Sequence, residues 1–512
     1  MSILAASPAR AEWFEAASAH FVVYADDGER EVRRFSNQLE RYHAALVVLT
    51  GRNTEPPSPS NRVTVFVLRN ERDVRRLYGG KNPYLGGFYL PRAGGSLAIV
   101  PPIDTKSGLV DRSMLVLLHE YAHHFMAHAS ALATPRWISE GGAEFFASAS
   151  FEADGSVGLG QPAVHRAAEL YLARDVSAEE LLDPAAYDKR ADSGYDAFYG
   201  KSWLLYHYLT FEPAREGQRQ RYLDLLAQGK PQRSAAAETF GDFAALDREL
   251  DAYLKRRRMT MIKLPASMLT AGTITLRRLT AGEAAMMPLR IRSKRGVGSE
   301  QAAALVAEAR GIAARFAGDA AVLSALAEAE YDAGNDGAAI AAADAALAID
   351  AAQTDAYIQK GYALFRQAAD ADDRAAAYRR ARAPFVTLNH QEPDHPLPLL
   401  YFFRSFVAQG IDPTPLALDG LARAVLMAPF DFDLRMTAGL AMIRAGRPGE
   451  ARIALTPVAF QPHGGCQAEA ARRVLARIDA EAGWRGAGID ALLRDPAEPA
   501  RRSTQDEEDR AP

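Results

Sequence analysis

The chain has 512 residues, of which 48% are hydrophobic and 24% are charged, and its formal net charge is −4. This length suffices for roughly two to four domains, and no apolar run approaches the 18 or so residues that a membrane-spanning helix needs. The weak charge gives no electrostatic reason to expect a nucleic acid or an anionic membrane as partner, and the single cysteine, Cys466, excludes an intrachain disulfide framework.

The N-terminal residues 1–11 allow two interpretations. They end in the small-residue pattern Ala9-Arg10-Ala11, which is typical of a secretory cleavage site, but they lack a basic start and a full apolar core. In the first interpretation they are the remnant of a longer signal peptide, and the protein is periplasmic or secreted. In the second they are an unstructured tail of a cytoplasmic protein.

A first domain with helices and strands is predicted over residues 12–258. Apolar periodicity predicts a helix over 29–49 and strands over 20–25, 62–68, 86–90 and 96–100. The last two strands flank a turn with two glycines and therefore predict a hairpin. The segment from Gly86 to Tyr89 is a candidate edge strand for pairing with an extended substrate, with an ordinary structural strand as the alternative.

The next predicted helix carries a metal-binding pattern. Asp111 can cap its start, and the residues that follow are good helix formers. His119 and His123 stand four residues apart, so both imidazoles face one side of the helix, with Glu120 beside them. This H-E-x-x-H arrangement supplies two zinc ligands and a carboxylate that can act on water as a base.

A second helix is predicted directly after the first. Thr134 is a candidate cap and Pro135 a candidate first helical residue, which places Glu140 and Glu144 on one face. A catalytic zinc usually has three protein ligands, and Glu140 is the candidate third. Glu144 can accept the second ring N–H of a ligand histidine. The glycine pair at 141–142 disfavours a helix, and so indicates close approach of another helix.

The segments HEYAHH and PRWISEGGAEFF together resemble the peptidase-MA-like, or gluzincin, zinc metallopeptidases. Within these they are most similar to a bacterial family in which such a domain precedes helical repeats. The resemblance is specific over about residues 115–146 and implies that His119, His123 and Glu140 bind one zinc ion, with Glu120 as general base. The spacing from His123 to Glu140 is slightly shorter than in the aminopeptidase N-like members.

Two tyrosines follow in a region of predicted helices, which cover residues 161–174, 197–209, 218–228 and 243–257. In gluzincins a tyrosine downstream of the third ligand often hydrogen-bonds the oxyanion. Tyr199 matches that tyrosine by position, and Tyr195 is the second candidate. The alternative is that Tyr199 and Trp203 are packing aromatics of a helix.

The other histidines are interpreted without a role in chemistry. His124 and His128 also stand four apart, but no acidic residue occupies the position equivalent to Glu120, which favours a surface or supporting role. The isolated histidines are interpreted as structural, namely His20, His43, His165, His207, His390, His395 and His463.

A connecting module is predicted over residues 259–297, with short β-like runs at 273–276 and 287–291. Beyond it, residues 298–490 are rich in alanine and follow a register of about 34 residues, as from Ala327 to Gly361. This register resembles tetratricopeptide repeats, and a generic alanine-rich helical bundle is the alternative.

Two further features concern the C-terminal half of the chain. Four prolines between Pro384 and Pro398 predict a long loop or an insertion in the repeats. Residues 491–512 are charged and lack apolar periodicity, which predicts a disordered tail.

The predicted fold class is therefore α+β: a small mixed sheet and a helical zincin-like domain, followed by an all-α tetratricopeptide-like domain. The resemblance implies zinc-dependent hydrolysis of peptide bonds, with a peptide or protein substrate and a protein partner at the repeats. Two alternatives stay open. One is a zinc-binding but non-proteolytic interaction protein, and the other is a metallohydrolase that acts on non-peptide amides.

Overall fold

A computed structural model of the protein describes residues 12–52, 55–79, 86–104, 106, 108–127, 134–190, 195–461 and 464–494. The predictions for residues 1–11 lie outside this part of the chain, as do His128, His463 and the predicted tail beyond residue 494. Residues 491–493, which were expected in that tail, belong to a short final helix.

The described strands are short. They are β1 (Trp13–Ala17), β2 (Phe21–Asp26), β3 (Val63–Val67), β4 (Phe88–Leu90), β5 (Leu97–Val100), β6 (Gly108–Leu109), β7 (Ser150–Phe151), β8 (Val157–Leu159), β9 (Ile262–Leu264) and β10 (Thr275–Arg278). They form a six-stranded sheet in the order β10-β1-β2-β3-β5-β4 and a four-stranded sheet in the order β6-β7-β8-β9.

Helices make up most of the described chain. The first eleven are α1 (Glu29–Thr50), α2 (Glu71–Tyr78), α3 (Arg112–Ala127), α4 (Arg136–Ala147), α5 (Ala167–Leu172), α6 (Ala178–Leu182), α7 (Pro184–Asp188), α8 (Phe198–Phe211), α9 (Gln218–Ala227), α10 (Gln232–Phe240) and α11 (Phe243–Leu254). The remaining twelve are α12 (Ala281–Arg295), α13 (Ser299–Ala313), α14 (Ala320–Asp332), α15 (Asp336–Ile349), α16 (Thr354–Ala369), α17 (Arg374–Gln391), α18 (Pro396–Gln409), α19 (Pro415–Met427), α20 (Phe432–Arg444), α21 (Pro448–Ala459), α22 (Cys466–Ala480) and α23 (Ile489–Leu493).

The fold is mixed α and β, as the sequence predicts. The chain divides into two compact units. The first contains Met1–Leu117, Ser150–Val157 and Leu264–Asp431, and the second contains Leu118–Ala149, Gly158–Lys263 and Phe432–Pro512. None of the described helices is long and apolar enough to cross a membrane.

The six-stranded sheet belongs to the first unit. Strands β2, β3 and β5 are parallel, and α1 connects the first two of them, while β1 and β4 pair antiparallel with their neighbours. The predicted hairpin over 86–90 and 96–100 is confirmed as β4 and β5. Strand β4 ends the sheet order, and its pairing with a substrate stays a prediction.

The predicted connecting module is partly wrong, because two of its segments belong to larger structures. Strand β10 pairs with β1 and ends the sheet at the opposite edge from β4. The run at 287–291, expected to be β-like, lies inside α12, and Met287 and Ile291 pack against Trp13 and Ile99 of the sheet. Apolar residues four apart on a helix face one side, which fits this packing better than a two-residue period.

Helices α12 to α19 follow in the first unit and pack sequentially. Alternate helices also contact each other, as α14 does with α16 and α16 with α18. A methyl group at Gly361 would lie 2.3 Å from the Phe385 ring, so a small residue is required there. The expected long loop between Pro384 and Pro398 is wrong, because Pro384 lies inside α17 and Pro396 begins α18, a position that favours proline.

In the second unit, α4 packs closely on α8. A methyl group at Gly141 would lie 2.3 Å from the backbone oxygen of Ser202, and one at Gly142 would lie 3.2 Å from the Tyr206 ring. The close approach predicted from this glycine pair is confirmed. The helices predicted near α8, α9 and α11 are present, whereas the one expected over 161–174 is only a 3-10 turn, Val164–Arg166, followed by the short α5.

Candidate metal centre

Helix α3 presents the two histidines of the metal-binding pattern. Asp111 Oδ1 accepts a hydrogen bond of 2.8 Å from the Met114 N–H, so the predicted acidic cap is confirmed. The side chains of His119 and His123 are 12% and 18% exposed, and their Nε2 atoms lie 3.1 Å apart. One turn of helix thus directs two nitrogen donors to the same point.

Helix α4 brings Glu140 to these histidines. It begins at Arg136, so Pro135 occupies the cap position instead of the predicted first helical position. The Glu140 side chain is completely buried, with Oε2 lying 3.5 Å from His119 Nε2 and 3.4 Å from His123 Nε2. The structure therefore brings the three predicted ligands together.

The donor set fits zinc. Three ligand atoms bound to one tetrahedral zinc at about 2.0–2.2 Å lie roughly 3.3–3.6 Å apart, and the donor atoms here are separated by 3.1, 3.4 and 3.5 Å. Neither carboxylate oxygen of Glu140 has a hydrogen-bond partner among the described residues. A buried carboxylate that accepts no hydrogen bond is costly, and a cation at the centre of this triangle would compensate its charge.

Carboxylates also control the ionisation of His119. Burial alone would lower its pKa, but interactions with Glu140 and Glu144 outweigh burial and raise the pKa to about 10. Burial alone would likewise raise the pKa of Glu140, but its interactions with His119 and His123 hold that pKa below its ordinary value. A proton and a metal ion therefore compete for His119.

Glu144 occupies the position predicted for a residue that orients a ligand. Its carboxylate is completely buried, and Oε1 lies 3.1 Å from His119 Nδ1. This contact fixes the ring so that Nε2 is directed towards Glu140 and His123. Glu144 Oε2 lies 2.6 Å from His165 Nε2, and Oε1 accepts a hydrogen bond from Arg166.

The sequence does not indicate these contacts of Glu144: it favours a structural role for His165 and marks no role for Arg166. Both residues lie in the 3-10 turn Val164–Arg166. Arg166 also donates to Glu169 Oε2 at 3.0 Å, and Glu169 Oε1 accepts from the backbone N–H of Gly200 at 2.6 Å. No sequence motif marks these contacts, because His165 and Arg166 are positioned by a short turn that has no helical or strand periodicity.

Glu120 follows His119 on α3 and is not one of the three donors. The side chain is half-buried, and no hydrogen bond or ion pair joins its carboxylate to another described residue. This differs from Glu140 and Glu144, whose carboxylates face the histidines. The Glu120 carboxylate is therefore available for proton transfer.

Of the two candidate tyrosines, Tyr199 is the one placed near the donor triangle. Its ring centroid lies 4.9 Å from the Arg166 guanidinium carbon and 5.9 Å from that of Arg136. Burial raises the pKa of Tyr199, and the charge of Glu140 raises it further, so the hydroxyl remains protonated. Tyr195 is 71% exposed.

Other histidines make separate contacts. His20 stacks on His43 and pairs with Glu40, while buried His124 stacks on Tyr121. His207 lies 2.9 Å from the Tyr253 hydroxyl, His395 caps α18, and His390 is exposed. Trp203 is buried against His207, which agrees with a packing role. Among the described histidines, only His119, His123 and His165 thus contact Glu140 or Glu144.

No protein-family model matches this chain, and no curated protein matches it either. The chemistry of the centre is therefore inferred from its own residues.

Proposed function

We propose that the chain is a zinc-dependent peptidase of the gluzincin type, with a zincin-like catalytic domain. The observation that carries this proposal is the triangle of His119 Nε2, His123 Nε2 and Glu140 Oε2, with Glu120 directly after His119 on α3. Structural zinc sites usually have four protein ligands, whereas catalytic sites have three and leave a position for water or substrate. Two histidines and one glutamate match the catalytic kind.

Each nearby side chain has a role in the proposed mechanism. Zinc supplies Lewis acidity, which polarises a carbonyl group and acidifies water. Glu120 takes a proton from the attacking water and transfers it to the leaving amine. Glu144 keeps His119 in the orientation that directs Nε2 to the metal. Tyr199 donates a hydrogen bond to the oxyanion that develops on the substrate.

We also propose that the alanine-rich helices are tetratricopeptide-like repeats that bind a protein or peptide segment. Contacts between alternate helices, such as α14 with α16, support this proposal. So do the buried small residues Ala327 and Gly361, the second of which packs on Phe385. Repeats of this kind stack helix pairs and expose a long surface for binding.

The peptidase proposal is tested by cleavage of a mixed peptide library, analysed by mass spectrometry. Zinc-loaded wild type is compared with Glu120→Gln and with Glu216→Gln, which removes the charge of an exposed glutamate in the same unit. We expect the wild type and Glu216→Gln to give the same products and Glu120→Gln to give none, although all three bind zinc. Equal cleavage by Glu120→Gln, or by zinc-free wild type, would contradict the proposal.

A further inference from the structure

Arg136 is a cationic residue whose Cα lies on the same face of α4 as that of Glu140. It is the first residue of the helix, one turn before Glu140. Residues four apart on a helix are neighbours, with Cβ atoms about 5–6 Å apart. The half-buried side chain of Arg136 thus belongs to the surroundings of the donor triangle.

Three aromatic rings surround the Arg136 guanidinium. Its central carbon lies 4.0 Å from the ring centroid of Phe198, 5.5 Å from that of Tyr187 and 5.9 Å from that of Tyr199. Contacts between a cation and aromatic rings stabilise the guanidinium in this place. They do not neutralise its charge.

No carboxylate neutralises that charge either. Within the described part of the chain, Arg136 forms no ion pair, and its buried Nε has no hydrogen-bond partner. The neighbouring Arg166 is different, because it pairs with both Glu144 and Glu169. The remaining polar contacts of Arg136 are hydrogen bonds with the neutral side chains of Tyr187 and Tyr199. A partly desolvated guanidinium that no carboxylate balances is costly, and binding of an anion would compensate for that cost.

Tyr199 connects Arg136 to the reacting centre. Its ring is near the Arg136 guanidinium, and its hydroxyl experiences the charges of both Glu140 and Arg136. Arg136 precedes Glu140 by one helical turn, about 5.4 Å, and an extended peptide advances about 3.3 Å per residue. A group bound by Arg136 would therefore lie about one or two residues from the scissile bond.

We propose that Arg136 forms a carboxylate-binding subsite, which selects peptides that carry an anionic group one or two residues from the scissile bond. This inference rests on the proposed peptidase function of the adjacent centre. Arginine presents paired N–H donors that match the two oxygens of a carboxylate. The carboxylate belongs to an Asp or Glu side chain or to a free C-terminus, and these two sources share the same chemistry.

The test measures binding separately from turnover. Zinc-loaded Glu120→Gln is titrated into fluorescein-labelled hexapeptides that carry Glu, Gln or Lys at each position in turn, with a free acid or an amide at the C-terminus. We expect the Kd to be about tenfold lower or more for Glu than for Gln at one position, or for acid than for amide. Arg136→Gln in the Glu120→Gln background should abolish this preference, and Arg136→Glu should favour Lys.

The controls separate charge from folding. Arg136→Lys keeps the cation and should keep part of the preference, while zinc content and Tm report whether each variant folds. Arg219→Gln removes another arginine that stacks on an aromatic ring, 4.4 Å from Tyr206, and should leave the preference unchanged. A preference that persists in Arg136→Gln, or its absence in the parent variant, would overturn the inference.

The same experiment distinguishes this inference from the peptidase proposal. Zinc-dependent cleavage of the hexapeptides by the wild type, without a carboxylate preference in binding, would contradict the proposed subsite and support the proposed peptidase function. Carboxylate-selective binding through Arg136, without zinc-dependent cleavage, overturns the peptidase and leaves an anion-binding site. Absence of both binding and cleavage overturns both.

Discussion

The metal centre and a charge cluster in the first unit bury ionisable side chains in different ways. The charge cluster consists of Arg290 and Lys294 of α12, Glu328 of α14 and Asp355 of α16. Lys294 Nζ lies 3.0 Å from Asp355 Oδ1 and 3.4 Å from Glu328 Oε2, and Arg290 Nη2 lies 3.6 Å from Asp355 Oδ2. Each of these charges faces one of opposite sign.

In the metal centre, His119 also pairs with Glu140 and Glu144, but three donor atoms in addition converge on one point. The two histidines direct Nε2 atoms at each other across 3.1 Å, and both oxygens of the buried Glu140 have no hydrogen-bond partner among the described residues. Internally paired charges hold helices together, whereas donor atoms that converge on one point fit a ligand. The geometry of pairing, more than burial, distinguishes the two clusters.

The largest expected effect follows from removing a donor. His123→Ala should weaken zinc binding at least about a hundredfold. The reason is that the binding free energy of a structural zinc site, roughly 10–16 kcal/mol, is shared among four ligands, so each contributes several kcal/mol. Competition with a chromophoric chelator measures the Kd. Lys294→Met is the matched change in the charge cluster and should leave the Kd unchanged. Wild-type affinity in His123→Ala would refute the assignment of this ligand.

Glu144→Gln tests the contact that orients His119. Loss of the carboxylate 3.1 Å from Nδ1 should weaken zinc binding by about 10- to 100-fold while all three donors remain. The same chelator competition measures it, with Glu216→Gln as a charge-removal control. An unchanged Kd in Glu144→Gln would mean that the ring does not need this partner.

In the charge cluster, removal of Lys294 should affect the free energy of unfolding instead. Lys294→Met leaves Glu328 and Asp355 without their shared cation. We expect a loss of about 2 kcal/mol, less than for completely buried pairs because Asp355 keeps 35% exposure. Urea unfolding measures the loss, and adding Glu328→Met should recover part of it. If Lys294→Met instead lowered the affinity for zinc and left the free energy of unfolding unchanged, the distinction between the two clusters would be wrong.

The last expected effect is a pH dependence of stability that arises within the charge cluster. Burial raises the pKa of Glu328 to about 7, and Lys294 opposes this only in part. The folded chain therefore binds the proton more tightly than the unfolded chain, whose glutamates titrate near pH 4.5. The resulting stabilisation is complete below that pH and is lost as the pH rises to 7.

Glu328→Gln should remove this loss, which is on the order of 1–3 kcal/mol at about 1.4 kcal/mol per pKa unit. Urea midpoints of the wild type and the variant are compared between about pH 4 and pH 8, a range that spans the titration of Glu328. Asp355 titrates lower, with a pKa of about 2, and does not contribute within this window. Parallel curves for the two proteins would contradict the prediction.

Much of the donor triangle was predictable from the sequence, because helical periodicity fixes which residues share a face. His119 and His123 follow from one spacing, and the glycine pair beside Glu140 indicated the close contact with α8 that the structure contains. Periodicity says nothing about turns. His165 and Arg166 were missed for that reason, since their partner Glu144 stands on a separate helix.

The errors in the first unit have similar causes. The run at 287–291 was expected to be β-like, but burial against the sheet maintains α12 around the internal Pro288. Pro384 lies inside α17 for a comparable reason, because Phe385 packs on Gly361 and Leu388 packs in a cluster with Tyr357. Tertiary packing overrides a local preference against helix, and a single sequence does not show which contacts will do so.

The pairing of β10 with β1 has a consequence for how the protein is made. Arg278 pairs with Phe14, so the ribosome must complete the metal-binding segments before the partner of β1 emerges. At roughly 5–20 residues per second, the outer edge of β1 stays uncovered for ten seconds or more during translation. An uncovered edge recruits other strands, so nascent chains, and fragments that end before Thr275, are exposed to aggregation and to capture by chaperones.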